Sequence, residues 1–148
     1  DCTYVEYEYY HGYCKMEKEQ IPVLYPFGYG LSYTSFQIGS PRVQVFDGTA
    51  KLTVSVKNTG DRKGAEGVQL YVGCENSAVD RPVKLLKDFV RVELEPGEEK
   101  EVCLTVSQED MAYFNEEKNE FVTEDIPYIA YVGNSSADAS RNTVKFTF

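Results

Sequence analysis

The sequence is poor in residues that bind metal ions or build reactive centres, with one histidine, no tryptophan and four cysteines. The cysteines stand at positions 2, 14, 74 and 103 without a C-x-x-C pair, whereas structural zinc sites need clustered ligands at short spacing. We therefore predict no metal site and no cofactor. The even count permits disulfides, but we favour unpaired thiols, with no bond between Cys74 and Cys103. Unpaired thiols favour a cytoplasmic over a secreted location.

Basic residues are also scarce. Lysine and arginine number 15 against 24 aspartates and glutamates, which gives a net charge of −9 at pH 7. An acidic surplus opposes binding to nucleic acid and to anionic membranes, because the cations that would neutralise phosphate groups are missing. No apolar run approaches the roughly 20 residues that a membrane helix needs. We therefore expect neither nucleic acid nor membrane as a partner.

The length of 148 residues suits one domain with a short extension. A folded chain of this size buries about two-thirds of the surface that it exposes when unfolded, which is enough for a real core. The first residues, Asp1-Cys2-Thr3-Tyr4, resemble neither a translation start nor a signal peptide. We expect the chain to be cut from a longer polypeptide.

From Phe36 onward, short alternating segments are separated by turn signals. Leu52, Val54 and Val56 alternate with polar neighbours, and later segments repeat this period of two. Asp47-Gly48 and the run Glu95-Pro96-Gly97-Glu98 are typical of tight turns. The alternation predicts that the core contains Val54, Val56, Leu70, Val72, Val92, Leu94, Leu104, Val106, Ile129 and Phe146.

About seven short strands with a turn signal every ten residues or so are typical of a β-sandwich. An antibody-type sandwich would carry a cysteine on its second strand and a buried tryptophan. The strand from Lys51 to Asn58 has no cysteine, and the chain has no tryptophan. We therefore predict an all-β fold, an immunoglobulin-like sandwich of the fibronectin type III-like kind, with an N-terminal extension.

Residues 1–24 form a tyrosine-rich, acidic segment that we call the lead. Val5, Tyr7 and Tyr9 alternate with acidic residues, which predicts a strand with one drier face. Residues 15–20 are almost all polar and predict a surface loop.

The segment Tyr25–Thr34, which we call the connector, reads Tyr-Pro-Phe-Gly-Tyr-Gly-Leu-Ser-Tyr-Thr and contains no charge. Pro26 fixes its own φ, and Gly28 and Gly30 permit conformations or close approaches that a Cβ would block. The composition predicts an irregular, aromatic segment that a large surface covers.

The connector resembles the Pro-Phe-Gly-Tyr-Gly-Leu-Ser-Tyr-Thr signature of glycoside hydrolase family 3, the β-glucosidases and their relatives. In that family the signature lies between the second domain and a C-terminal fibronectin type III-like domain. The resemblance implies that residues 1–34 are the tail of a preceding domain with the connector, and that residues 35–148 are the fibronectin type III-like domain. Similar runs follow in the family's order: Asn58-Thr59-Gly60, Val68-Gln69-Leu70-Tyr71-Val72, Arg81-Pro82, Leu94-Glu95-Pro96-Gly97-Glu98 and Val132-Gly133-Asn134-Ser135-Ser136.

This sequence differs from the family's usual pattern at Gly12-Tyr13-Cys14, where Cys14 stands in place of an arginine. In the family that it resembles, the catalytic aspartate lies in an N-terminal barrel and the acid/base residue lies in the second domain. The sequence motif of neither residue occurs here. We therefore assign no catalytic residue and expect this chain alone to be inactive, although its parent is a glycoside hydrolase, a β-glucosidase by resemblance. We interpret the acidic pairs as solvated surface charge: Glu98-Glu99, Glu109-Asp110, Glu116-Glu117 and Glu124-Asp125.

Two functions remain open. The chain is either an accessory domain that braces the catalytic domains of a glycoside hydrolase, or an independent carbohydrate-binding or adhesion module. The absence of tryptophan and the concentration of aromatics at residues 4–33 favour the first. The expected partners are thus the remaining domains of the parent, and residues 4–33 could also mediate self-association. The predicted interdomain contacts are Tyr25, Phe27, Gly28, Tyr29, Gly30, Leu31 and Tyr33.

For the chain by itself, the same aromatics need cover, because a soluble protein rarely exposes a large contiguous apolar patch. We therefore expect Phe27, Tyr29, Leu31 and Tyr33 to lie against the sandwich. The tyrosines of residues 4–13 should pack on it or on a second copy of the chain.

Overall fold

The computed structural model describes residues 3–148, which form two packed β-sheets, a short hairpin and an N-terminal segment that lies on the second sheet. Two short α-helices are present, α1 (Gly12–Lys18) and α2 (Ser136–Ala139), with a 3-10 helix at Glu109–Met111. The strands are β1 (Phe36–Ile38), β2 (Arg42–Phe46), β3 (Thr49–Asn58), β4 (Gly64–Cys74), β5 (Leu85–Leu94), β6 (Glu99–Ser107), β7 (Tyr113–Asn115), β8 (Glu120–Val122), β9 (Tyr128–Gly133) and β10 (Thr143–Phe146).

Both large sheets are antiparallel. In the first sheet, β1 and β2 pair with successive parts of β3, and β6 pairs with β3 over nearly its whole length. The second sheet has the strand order β10-β9-β4-β5. Strands β7 and β8 form a separate two-stranded hairpin between β6 and β9. The prediction of an all-β sandwich is confirmed.

The two predicted turns are confirmed. Asp47 and Gly48 have φ values of 47° and 66° and join β2 to β3, which is the left-handed pair that a two-residue hairpin turn requires. In the second turn, Gly97 has a φ of 75°, and the Glu95 backbone N–H donates to a carboxylate oxygen of Glu98 at 2.7 Å.

The core lies between the sheets and contains nine of the ten predicted side chains. Ile129 is the exception: β9 turns Tyr128, Ala130 and Val132 inward, so Ile129 lies on the outer face and is only partly buried. Tyr128 can occupy the interior because its hydroxyl donates to the Glu124 carbonyl at 2.9 Å. The prediction for Ile129 was wrong because the chain places an aromatic residue, rather than the aliphatic one, toward the core.

The lead differs from its prediction in two places. Residues 5–9 form no strand, and residues 15–18 belong to helix α1 instead of a loop. A helix of seven residues is too short to be stable on its own, so its packing against the sandwich holds it. The predicted strand found no partner in the two sheets, because the lead lies across the outside of the second one.

Within residues 3–148, Cys14, Cys74 and Cys103 are free thiols, and Cys2 lies outside the described residues. This same part of the chain contains no cluster of three or more His, Cys, Asp or Glu side chains that could hold a metal ion. None of its helices is long and apolar enough to span a membrane.

Candidate docking surface

The outer faces of the two sheets are chemically different. Outward positions of the first sheet carry polar, mostly exposed side chains such as Lys51, Lys57 and Glu101. The second sheet instead turns Tyr71 outward, and yet this side chain is completely buried. The segment from helix α1 to Phe27 supplies its cover.

Helix α1 contacts the second sheet through an aromatic cluster. The ring of Tyr13 meets that of Tyr71 edge-on, with centroids 5.9 Å apart, and stacks on Phe27 at 4.9 Å. The Tyr13 hydroxyl accepts a hydrogen bond from the Leu86 backbone N–H at 2.9 Å. Helix α1, the connector and the second sheet therefore pack together on this face.

Burial raises the pKa of the Tyr13 hydroxyl to about 12, although the Leu86 N–H works in the opposite direction. An unfolded tyrosine ionises near pH 10, so above about pH 10 ionisation favours the unfolded chain. The stability that the neutral hydroxyl contributes is complete below pH 10 and is lost as the pH rises to about 12.

We expect the free energy of unfolding to fall more steeply between about pH 9.5 and 11.5 in the wild-type chain than in Tyr13→Phe. Urea denaturation at several pH values in this range measures both slopes. The lysines titrate in both proteins, so their contribution to the pH dependence of the unfolding free energy cancels in the comparison. Parallel slopes would mean that the Tyr13 hydroxyl is solvated in the folded chain.

A buried ion pair holds the same face of helix α1 one turn further along. The Lys84 ammonium lies 2.8 Å from a carboxylate oxygen of Glu17, and the Lys84 side chain is only 3% exposed. Lys84 also donates to the Ser140 hydroxyl at 2.9 Å and lies over the rings of Tyr71 and Tyr131. A buried ammonium needs such partners, because burying it unpaired is costly.

The connector backbone is held in place at both ends. The Tyr29 N–H donates to the Pro26 carbonyl at 2.9 Å, closing a turn in which Gly28 has a φ of 81°. A Cβ on Gly28 would overlap the side-chain amide of Gln69, so a larger residue would strain this turn and would also displace that amide. The Ser136 N–H donates to the Phe27 carbonyl at 2.9 Å and ties the connector to the start of α2.

At the far end of the connector, Thr34 binds a buried asparagine. The Thr34 hydroxyl lies 2.7 Å from Asn58 Oδ1, which also accepts from the Gly60 N–H at 3.0 Å. Asn58 Nδ2 donates to the carbonyls of Arg62 and Leu94. The oxygen and the nitrogen of this buried amide thus both form hydrogen bonds. The bond to Thr34 joins the connector to the end of β3.

The connector side chains are much more exposed than expected. Leu31 and Tyr33 are 90% and 93% exposed, and Tyr25 is 75% exposed. Phe27 and Tyr29 are about half exposed, with Phe27 against Tyr13 and Tyr29 near Tyr25. The expectation that Leu31 and Tyr33 lie against the sandwich was wrong, because the hydrogen bonds hold the backbone while these side chains point outward.

The lead tyrosines divide in the same way. Tyr13 packs on the second sheet, but Tyr4, Tyr7 and Tyr9 are each more than two-thirds exposed. Gly30 has open space where a Cβ would be, so no neighbour among residues 3–148 requires glycine there for close approach. The described residues thus present exposed apolar side chains along the lead and connector, and the connector is anchored at Phe27 and Thr34.

Three of the four acidic pairs contain a carboxylate that makes a contact within the domain. Asp110 Oδ2 accepts from the backbone N–H and the hydroxyl of Ser107, and Glu98 holds its own turn. Glu124 pairs with Arg81 at 2.9 Å. Glu116 and Glu117 are exposed at the tip of the β7–β8 hairpin. These carboxylates do not form an arrangement suited to glycoside hydrolysis, which needs two beside a sugar pocket.

Sequence reasoning missed Glu17, Gln69, Tyr71 and Lys84, all of which lie beneath the lead and connector or contact them. The available signal was the spacing of Tyr13 and Glu17, four residues apart and therefore on one face of a helix. Tyr71 lies between the inward residues Leu70 and Val72, but the pattern of a strand does not show what covers its outer face.

The chain matches known proteins over most of its length. The family model of the fibronectin type III-like domain matches residues 66–136. A β-glucosidase from Kluyveromyces marxianus is 47% identical over 86% of this chain, and beta-glucosidase BoGH3A from Bacteroides ovatus is 42% identical over 93%. The chain spans 15% and 19% of these two relatives.

Solved structures agree with the sequence matches. The crystal structure of the Kluyveromyces marxianus β-glucosidase superposes with a TM-score of 0.86 at 45% identity, over 92% of this chain and 16% of that one. The GH3 β-glucosidase of Bifidobacterium adolescentis also gives 0.86, at 37% identity, over 93% of this chain and 20% of that one. The chain belongs to glycoside hydrolase family 3, where it corresponds to the C-terminal region that carries the accessory fibronectin type III-like domain.

Proposed function

We propose that the chain braces the other domains of a β-glucosidase-like hydrolase and contacts them through the connector. The observation that supports this most strongly is that Leu31 and Tyr33 are 90% and 93% exposed, and Tyr25 75%, on a segment that hydrogen bonds anchor at Phe27 and Thr34. Such side chains have no function in the sandwich itself. Each aromatic ring can bury about 150–250 Å² on contact with a partner.

The anchoring of the connector supports a docking function for its exposed side chains. Asn58 and Ser136 hold the two ends of the connector, so its side chains are arranged before any partner arrives. Association then requires little further ordering of the chain, and more of the contact energy remains to hold the domains together. Tyr25, Phe27, Gly28, Tyr29, Gly30, Leu31 and Tyr33 are the residues that we assign to this contact.

For the whole protein we propose hydrolysis of O-glycosidic bonds in β-glucosides, on the basis of relatives that are named β-glucosidases. The catalytic carboxylates would then lie outside this chain, which is expected to hydrolyse nothing alone. An independent carbohydrate-binding module is the weaker alternative. The outward positions of β3 and β6 carry lysine, threonine, serine, glutamate and cysteine instead of a row of aromatics that could stack on a sugar chain.

The proposal is tested with Leu31→Ala and Tyr33→Ala in the full-length hydrolase. If these side chains are buried between domains, each substitution removes about 1.5–3 kcal/mol of burial and lowers the melting temperature, while the surviving enzyme keeps a near-normal KM. The same substitutions in the 148-residue chain should leave its melting temperature unchanged. Phe46→Ala is the matched control, since Phe46 is equally exposed on the first sheet.

Two results would contradict the proposal. A sharply raised KM with unchanged melting would place the connector in the substrate pocket. Unchanged melting and unchanged kinetics would show that the two side chains stay in solvent in the full-length protein.

A further inference from the structure

The β7–β8 hairpin presents a second pair of exposed aromatics outside the lead and connector. Phe114 and Phe121 are directly opposite each other in the register, with ring centroids 5.4 Å apart. They are 48% and 74% exposed, whereas their strand neighbours Tyr113 and Val122 are partly buried on the other face. One face of the hairpin thus lies on the body of the domain and the other displays two phenylalanines.

A nearly buried ion pair anchors the hairpin. Arg81 and Glu124 are 2.9 Å apart, with side chains 13% and 11% exposed. Arg81 also donates to the Met111 carbonyl at 2.7 Å, and its guanidinium lies 5.0 Å from the centre of the Tyr113 ring. Arg81 thus contacts the start of β7, through Met111 and Tyr113, and the segment after β8, through Glu124. The phenylalanine pair is therefore displayed on a fixed support.

The tip of the hairpin is acidic. Glu116, Glu117 and Glu120 are exposed beside a single lysine, Lys118. The Lys118 N–H donates to Asn115 Oδ1 at 3.0 Å, which fixes the turn between the strands. The acidic tip would lie at the edge of the contact with any partner that covers the two phenylalanines. Such a partner would need lysine or arginine at that edge.

The hairpin and the lead share a cavity. Tyr9 of the lead and the residues from Met111 to Glu117 line the same open cavity of about 810 Å³, together with Asp80 and Arg81. Tyr9 of the lead and Phe114 of the hairpin thus line the same cavity. In the relatives, more than four-fifths of the polypeptide lies outside the region that this chain matches.

We propose that the β7–β8 hairpin is a second docking element, whose phenylalanine pair inserts against an apolar, basic-rimmed surface of the domain that precedes the lead. This inference rests on the proposed function and adds a contact to it. The lead and the hairpin would then hold the preceding domain from the two sides of the shared cavity. A sugar ligand fits less well, because the two rings meet edge to face, with an interplanar angle of 70°, and form no flat platform.

The test is site-specific photo-cross-linking in the full-length hydrolase, with benzoylphenylalanine replacing Phe121. We expect an intramolecular cross-link to a peptide that precedes residue 1 in the polypeptide, identified by mass spectrometry. The double substitution Glu116→Lys and Glu117→Lys should lower its yield, and Glu99→Lys on the first sheet should not. A cross-linked dimer, or no protein cross-link, would overturn the inference.

A second probe at Tyr33 separates this inference from the proposed function. A cross-link from position 33 without one from position 121 would leave the connector as the docking surface and refute the hairpin. The absence of cross-links from both positions would refute both. Benzoylphenylalanine at Phe46 is the negative control, since that exposed side chain lies on the first sheet.

Thermal stability distinguishes docking from simple support of the hairpin. Phe114→Thr with Phe121→Thr keeps the β propensity of both strands but removes the rings. We expect the melting temperature of the full-length protein to fall by about 2–4 °C or more, and that of the 148-residue chain to stay unchanged. Equal losses in both proteins would show that the pair only stabilises the hairpin.

Discussion

Leu104→Ala is expected to lower the free energy of unfolding of the chain by about 2–5 kcal/mol, through lost burial and the cavity that remains. Leu104 is completely buried and lies opposite Leu52 on the neighbouring strand, so the site has little room to collapse. The substitution acts on the contact between the sheets that the whole sandwich shares. Chemical denaturation of the 148-residue chain measures the loss.

The neighbouring residue on the same strand supplies the control. Cys103 points outward and is exposed, so Cys103→Ala should change the free energy of unfolding by less than about 0.5 kcal/mol. If the two substitutions had the same effect, the inward and outward faces of β6 would be assigned wrongly.

Glu17→Gln is expected to cost about 3 kcal/mol of stability, because it leaves the Lys84 ammonium buried without its carboxylate. Lys84 would keep the Ser140 hydroxyl and the faces of two tyrosines, but none of these carries a full negative charge. We place the effect at the lower end of the range for buried pairs because Lys84 keeps these other partners and the Glu17 side chain is 19% exposed. Denaturation of the 148-residue chain at neutral pH measures it.

A second ion pair between the lead and the sandwich provides a matched control. Lys18 and Asp80 also join helix α1 to the body of the domain, but both side chains are well exposed to solvent. Asp80→Asn should therefore leave the unfolding transition unchanged within error. Similar losses from Glu17→Gln and Asp80→Asn would mean that the surroundings of Lys84 are solvated, and that helix α1 is held loosely.

The sandwich could be predicted from the sequence because its signals are local. Alternating residues such as Val54 and Val56 identify the inward face of a strand, since side chains on a strand point to opposite sides in turn. Asp47-Gly48 identifies a hairpin, because few other pairs tolerate two left-handed residues. The connector signature then gave the family, which the comparisons confirm.

The contacts of the lead could not be predicted in the same way. Helix α1 is too short to be stable through its own sequence, and it exists because Tyr13 and Glu17 meet Tyr71 and Lys84, residues distant in the chain. Ile129 was misassigned for a related reason, since alternation alone does not choose which of two apolar neighbours points inward. Both errors concern tertiary contacts rather than local conformation.

The exposure of Leu31 and Tyr33 shows a further limit. Composition predicts that a run of aromatic residues will be covered, but it does not predict by which surface. In this chain hydrogen bonds from the start of α2 and from Asn58 at the end of β3 anchor the connector and leave those two side chains outside. Their cover, in our proposal, comes from the rest of the polypeptide.

The most direct test of this account is hydroxyl-radical footprinting of the connector in two proteins, the 148-residue chain and the full-length hydrolase. The rate of side-chain oxidation reports solvent exposure, and Phe46 provides the internal reference because it should react equally in both. We predict that Tyr25, Leu31 and Tyr33 are oxidised rapidly in the short chain and are strongly protected in the full-length protein. Equal oxidation of the connector residues in both proteins would contradict the claim that this surface docks the domain onto the enzyme.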